Sequence, residues 1–569
     1  MRRTGCAAVG LCVWGATALA IAAEPFEMLP GDTDVVVRLK SPAKTVDALT
    51  KFVQEGVPAI APQAGMIRPS LGMAISNPGL AGVDDTADWW VAAFANKTSK
   101  PSVVFIVPTK DKVAAKAALG DKFSSKFIDD YLVYSASQDA LDRVAGDAEN
   151  SLESSLSDNA EDTFEEGDLS AWINVPHLRE VYSGREEEAR QGFDQFVELM
   201  KNAAAGAGDA QKQQIESAIP IYKAAFEGAV VFGKDLEPAV FTISPQEKQL
   251  LTETLLTVKE GSQSAKTLAK NEVADLDSMK DLPTGAIAYY GLHCDMKGLI
   301  ESSMNLAGGM YGDDYKQSLE EFVKVLEDVD FGSSVGAVWI GDLEFGLFRF
   351  IGNTNVEPIE RYRDAIRELT PKMELPDTPG LTQEMTFEPE AETISGEKVD
   401  LLTMTQTFDA EADPSGMAEK VNQALLGPDG MQQWIAYFDD TVVQTIGPKS
   451  FAETAIKTAQ GESLAAPVPT EDAIEASREF LSSEANVVLL VDWARMLADG
   501  TKVAANTGAV PFPIYADKID ELGIEPSFGG FSMTTEENAI RMKSVLPIAQ
   551  VKGISDLVDY VRQAMQPPQ

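Results

Sequence analysis

Asp34-Val-Val-Val-Arg-Leu-Lys-Ser-Pro-Ala-Lys-Thr-Val-Asp-Ala-Leu49 contains a change of period that sets the fold class. Val35 to Leu39 reads as a strand. After the Ser41-Pro42 punctuation the apolar residues fall at helical spacing, and proline suits a first helical turn. Three later segments repeat this strand-into-helix pattern: Leu169 to Tyr182, Ala286 to Ile300 and Asn486 to Leu497.

Each start leads through a helical region to two apolar runs around a polar turn, the signature of a hairpin. The runs are Trp89–Ala95 with Ser102–Val107, and Ala229–Phe232 with Ala239–Ile243 about Lys234-Asp235. The later two are Val335–Ile340 with Phe345–Ile351 about Gly341-Asp342, and Phe528–Met533 with Ala539–Leu546. A helix is expected next, as at Asp111–Leu119 and Glu357–Leu369. The first and third units add a strand that begins with paired aspartates, Phe127–Tyr134 and Tyr437–Gln444. Each of these runs into a helix, Asp139–Val144 or Phe451–Ala459. Met28-Leu-Pro30 and Asp281-Leu-Pro283 open the same two units.

The expected fold is therefore α+β, with duplicated strand–helix–hairpin–helix units forming antiparallel or mixed sheets and helices packed on one face. The first half spans 24–280, with units at about 28–150 and 168–280. The second spans 281–569, with units at about 281–460 and 471–569. Linkers are expected at Ser151–Gly167, Thr370–Lys398 and Gln460–Thr470, and a helix break at Ala203–Asp209.

Residues 1–23 read as a secretory signal peptide: Met1-Arg2-Arg3, an apolar stretch from Cys6 to Ala23, and Ala20-Ile21-Ala22 before a cut after Ala22 or Ala23. A membrane anchor is the alternative, but the apolar stretch is short for a span of roughly 20 residues. Lipid attachment at Cys12 is disfavoured by Leu11 before it. No later stretch reaches spanning length, so the mature chain is expected to lack a transmembrane segment and to be periplasmic, cell-envelope or extracellular.

The 569 residues suffice for three or four domains, and 44% are hydrophobic. Net charge is −42, and loss of Arg2 and Arg3 with the signal makes it more negative still. Such a charge argues against nucleic acid and anionic membrane surfaces as partners. Once Cys6 and Cys12 leave with the signal, Cys294 alone remains, so stability must come from core burial without intramolecular disulfides.

Leu29-Pro-Gly-Asp-Thr-Asp-Val-Val-Val37, with the signal and the repeated units, resembles exported bacterial proteins of unknown function found in planctomycetes. The resemblance implies export and a repeated fold. It carries no activity.

No residue qualifies as catalytic, cofactor-binding or metal-binding, and no cofactor is expected. His177, His293 and Cys294 give no metal-ligand spacing. Gly332-Ser-Ser-Val-Gly336 matches G-x-S-x-G, but its helix-then-strand context is the reverse of a nucleophile elbow. Ser41-Pro-Ala-Lys44 matches S-x-x-K and reads as a helix start. Asp129-Asp130 and Asp439-Asp440 read as turn residues, and the acidic run Asp158–Asp168 as a solvated linker. Asn96-Lys-Thr98 fits a glycosylation sequon in a turn. The leading expectation is an exported non-enzymatic binding or scaffolding protein, with an envelope protein partner or self-association. A carboxylate-based hydrolase and a carrier of an apolar ligand are the alternatives.

Overall fold

A computed structural model describes residues 25–97, 100–145, 150–205, 209–295, 297–298, 324, 326–341, 344–372, 380–409, 416–461, 469–506 and 513–566. The signal peptide and its cut lie outside these residues. So do Thr98 of the sequon, Asp342, the end of the third start at 299–300, and most of the 460–470 segment.

The strands are β1 Val35–Leu39, β2 Trp89–Phe94, β3 Ser102–Pro108, β4 Ser124–Ile128, β5 Tyr131–Ser135, β6 Leu169–Ile173, β7 Leu236–Pro245, β8 Gln249–Val258, β9 Ala274–Asp275, β10 Ala288–Leu292, β11 Asp330–Ile340, β12 Phe348–Glu357, β13 Leu381–Ile394, β14 Glu397–Phe408, β15 Met431–Tyr437, β16 Thr441–Ile446, β17 Glu484–Ala485, β18 Val487–Val491, β19 Gly529–Glu536 and β20 Ala539–Pro547. Short β9 and β17 pair with each other. The other 18 form one sheet in which every pairing is antiparallel. The fold is α+β.

From its outer edge inward, the first half runs β4-β5-β3-β2-β1-β6-β7-β8. The second runs β15-β16-β12-β11-β10-β18-β19-β20, with the hairpin β13–β14 added outside β15. Registers match as well. Val36 lies opposite Ala92 and Trp172, and Tyr289 lies opposite Ala337 and Leu490. The inner ends β8 and β20 pair with each other, with Glu253 opposite Lys543.

Helices cover both faces, where the sequence reading expected one. On the first face, Val36, Trp90, Val104, Ile106 and Trp172 pack with Leu141 of the helix Gln138–Arg143 and Phe164 of the helix Asp158–Glu166. On the opposite face, Trp89, Val107, Leu132 and Tyr134 pack with Ile75 and with Ala115 and Leu119 of the helix Lys112–Leu119. The reason lies in strands such as β3, whose run Val103-Val-Phe-Ile-Val107 is apolar at every position. Consecutive strand residues point to opposite faces, so such a run needs cover on both. The second half repeats the arrangement. Ala452 and Ile456 of the helix Lys449–Ala459 cover the first face, and Ile366 of the helix Ile359–Leu369 covers the other.

Three further expectations are corrected. Ser151–Gly167 contains the helix Asp158–Glu166, whose Ala160, Thr163 and Phe164 are buried on one side while Asp158, Asp162, Glu165 and Glu166 face out. Thr370–Lys398 contains β13, a sheet edge whose alternate residues are exposed. Ala229–Phe232 is the last part of the helix Asp209–Asp235, and the hairpin there is β7 with β8. The helices Arg185–Ala205 and Asp209–Asp235 stand on either side of the break expected near 203–209, and residues 206–208 between them lie outside the described residues. No described helix is long and apolar enough to cross a membrane.

Candidate ligand cavity

A cavity of about 1560 Å3 opens on the first face of the second half. Its floor is the end of β11, β12 and β16, where alternation aims Ser333, Val335, Asn353, Asn355 and Thr441 to one side. Its walls are the segment Ser278–Thr284, the start of the helix Ile359–Leu369, the end of the helix Lys449–Ala459, and Ile474 and Glu475 of the helix Pro469–Arg478.

The turn between β15 and β16 shapes one end. The Phe438 N–H donates to the Thr441 carbonyl at 2.9 Å, and the Val356 N–H donates to the Asp440 carbonyl at 2.8 Å. Asn355 Nδ2 donates to Thr441 Oγ1 at 3.2 Å, and Thr441 Oγ1 donates to Asp440 Oδ1 at 3.0 Å. These bonds fix a row of amide and hydroxyl groups along the floor. Beside them, Ser333 Oγ lies 3.2 Å from His293 Nδ1. Asn353 Oδ1 is buried and has no hydrogen-bond partner among the described residues. The walls carry Asp281, Glu360, Glu397, Asp439, Asp440 and Glu475 against Lys280 and Arg363, so the cavity is acidic.

The matching place in the first half is filled. Register correspondence puts Trp90 where the second half has Val335, Ile106 for Asn353, Pro108 for Asn355 and Tyr131 for Thr441. Trp90 stands edge-on to Phe26 at 5.1 Å and stacks on Phe164 at 5.7 Å. Ile128 and Tyr131 pack against the same cluster. Side-chain size and polarity at corresponding floor positions therefore separate a solid core from a polar cavity.

The residues singled out from the sequence are scattered. Gly332–Gly336 lies within the extended β11, and Ser334 Oγ is 2.9 Å from Thr354 Oγ1. Ser41 precedes the helix Pro42–Gly56, and its hydroxyl donates to the Thr86 carbonyl at 2.7 Å. His177 Nδ1 lies 2.8 Å from Oδ1 of buried Asp34, in the half without the cavity. Cys294 is half-buried, and desolvation, then Asp295, pushes its thiol up, away from the reactive thiolate. Asp129-Asp130 form the turn of the hairpin β4–β5, and Lys112 Nζ pairs with Asp130 Oδ1 at 3.1 Å. Asp439-Asp440 form the matching turn and border the cavity. The extra strand expected at each aspartate pair is thus a two-stranded hairpin. No group of three or more His, Cys, Asp or Glu that could hold a metal ion occurs among the described residues. Sequence reasoning missed Asn353, because only strand register reveals that it takes the place of an isoleucine.

Carboxylates pushed upward by burial stand elsewhere. Asp492 is fully buried and held above the usual range by desolvation, opposed by backbone donors. It caps the helix Trp493–Asn506, accepting from the Arg495 N–H at 3.0 Å, and it accepts from the Ser527 N–H at 3.2 Å. Asn174 performs the corresponding cap, accepting from the His177 N–H at 3.2 Å. Because the folded-state pKa of Asp492 exceeds the unfolded one, the folded protein keeps a proton that the unfolded chain has lost over the intervening pH window. Stability contributed by this group therefore falls as pH rises through that window. The Asp492→Asn protein is expected to show a flatter decline of thermal midpoint from the acid range toward neutrality. An unchanged slope would show that this carboxyl does not contribute.

No protein-family model, curated protein or solved structure matches the chain.

Proposed function

We propose that this is an exported, non-enzymatic binding protein of the periplasm or cell envelope, built from two duplicated halves of which the second keeps a ligand cavity. The observation that carries the reading is the contrast of Trp90 and Ile106 with Val335 and Asn353 at corresponding positions. The shared strand order and matched registers support duplication. In this reading the first half is a scaffold whose cavity has been closed by aromatic packing, and the second half retains an acidic, polar-floored space.

The export reading rests on the basic start and the apolar, alanine-rich stretch before Glu24. The strongly negative charge weighs against nucleic-acid partners. Binding is favoured over carboxylate hydrolysis because the carboxyls raised by burial, Glu161, Asp168 and Asp492, lie outside the cavity.

The test is native mass spectrometry of the protein purified from its own cells, alongside the Val335→Trp/Asn353→Ile double variant that copies the first half. A small molecule retained by the wild type and lost from the folded variant is expected. Equal retention by both proteins, or recovery of the native protein from the cytoplasm, overturns the reading.

A further inference from the structure

We infer that the ligand of this cavity is a polyhydroxylated molecule that is neutral or cationic overall, namely a short carbohydrate chain. The inference rests on the cavity-binding reading above and adds the chemical class.

The floor supplies the first argument. Asn353, Asn355, Thr441 and Ser333 offer amide and hydroxyl groups side by side, so donors and acceptors alternate within one small area. A ligand that satisfies such a surface must itself both donate and accept at closely spaced points. Sugar hydroxyls do this. A hydrocarbon chain does not: it would bury these groups unpaired, at a cost of about 1–3 kcal/mol for each buried group left unsatisfied. Asn353 Oδ1 is already such a buried acceptor, at the position where the first half carries isoleucine.

Charge supplies the second. Six carboxylates against two cations line the space. Carboxylates accept hydrogen bonds from hydroxyl and ammonium groups, and they repel phosphates, sulfates and uronates. The ligand is thereby confined to uncharged sugars and amino sugars. A small polycation would satisfy the walls and donate to the oxygens of the floor, but it offers no acceptor to the amide and hydroxyl donors there. Shape is the third argument. Phe438 borders the polar row and offers apolar surface to the C–H face of a ring. The volume, about 1560 Å3, exceeds the roughly 300–1,000 Å3 of an ordinary small-molecule pocket, which favours a chain over a single ring.

The full chain would be screened on an array of neutral, amino and uronic oligosaccharides. Calorimetry would follow with the best array ligand, with spermidine and with a fluorescent fatty acid. Binding to neutral or amino oligosaccharides, with uronic chains rejected, is expected. Asn353→Ile should weaken the best glycan at least tenfold, and Asn355→Ala should weaken it by less. His177→Ala, in the other half, should leave it unchanged. Thermal unfolding of each variant would confirm that it is folded. No glycan binding, or tighter binding of uronic chains, overturns the carbohydrate inference. If spermidine or the fatty acid binds instead and Asn353→Ile abolishes it, the carbohydrate inference fails while the cavity reading stands. Glycan binding that survives Asn353→Ile in a folded protein overturns both.

Discussion

Denaturant unfolding of the Arg367→Met protein is expected to show a loss of about 3–5 kcal/mol, the scale for removing one partner of a buried ion pair. Asp400 on β14 is fully buried, and three donors hold its carboxylate. Arg367 Nε and Nη2 grip the two oxygens at 2.9 and 2.8 Å, and the Glu390 N–H donates at 2.8 Å. Arg367 also reaches Glu390 at 3.3 Å and lies 5.8 Å over the ring of Tyr437. Methionine fills similar volume but leaves the carboxylate charge with one backbone donor. The pair therefore ties the hairpin β13–β14 to the helix Ile359–Leu369, which packs on strands common to both halves. Arg367→Met/Asp400→Asn should recover part of the loss, because it removes the stranded charge. A single variant as stable as the wild type would show that the pair does not hold the hairpin down.

The Arg541→Met variant is expected to lose about 2–4 kcal/mol, less than a fully buried pair because the partners keep some exposure. Arg541 sits on β20 beside the line where the two halves meet. It donates to Glu536 Oε1 at 2.6 Å and to Thr163 Oγ1 at 3.0 Å, and it also bonds Glu253 and Asn159. Glu253 belongs to β8, and Asn159 and Thr163 to the helix Asp158–Glu166, so one guanidinium fastens three elements across the junction. Its removal leaves Glu253 with Lys543, 3.9 Å away, and takes from Glu536 its guanidinium partner. Arg541→Lys keeps the charge but not the fork, and should fall between the two. Calorimetry would test whether the halves then unfold as separate transitions. A single, unshifted transition would rule out this role.

Three of the four strand-into-helix starts, at Val35, Leu169 and Val487, were legible because proline, asparagine or aspartate marks the switch of period; the helix of the third start lies mostly outside the described residues. Hairpins with compact apolar runs, such as Val335–Ile340 with Phe345–Ile351, were legible for the same reason. Ala229–Phe232 misled because Val230 and Val231 are β-branched residues at the end of a helix, and short apolar runs suit either element. The segment holding β13 looked like a linker because its Pro and Glu residues are the composition of a protected sheet edge. The acidity of Asp158–Glu166 hid the helical spacing of Ala160, Thr163 and Phe164. The cavity was out of reach. Asn353 and Ile106 correspond only through strand pairing, and no local pattern in either stretch marks one as filling space and the other as lining it.

The pairing of β8 with β20 has a consequence for the order in which the molecule is made. Synthesis delivers the first half complete, with β8 as its inner edge, hundreds of residues before the partner strand emerges. Loop length itself adds little thermodynamic cost, roughly 0.6 kcal/mol for each doubling, but distant pairings form late. During that interval β8 is an open edge of sequence Gln249-Leu-Leu-Thr-Glu-Thr-Leu-Leu-Thr-Val258, apolar enough to recruit another nascent chain. Glu253, at its centre, is the one charge on that waiting edge. The carboxylate that later meets Arg541 thus serves earlier as a guard against pairing with the wrong chain, and Glu253→Leu should aggregate during synthesis at levels where the wild type does not.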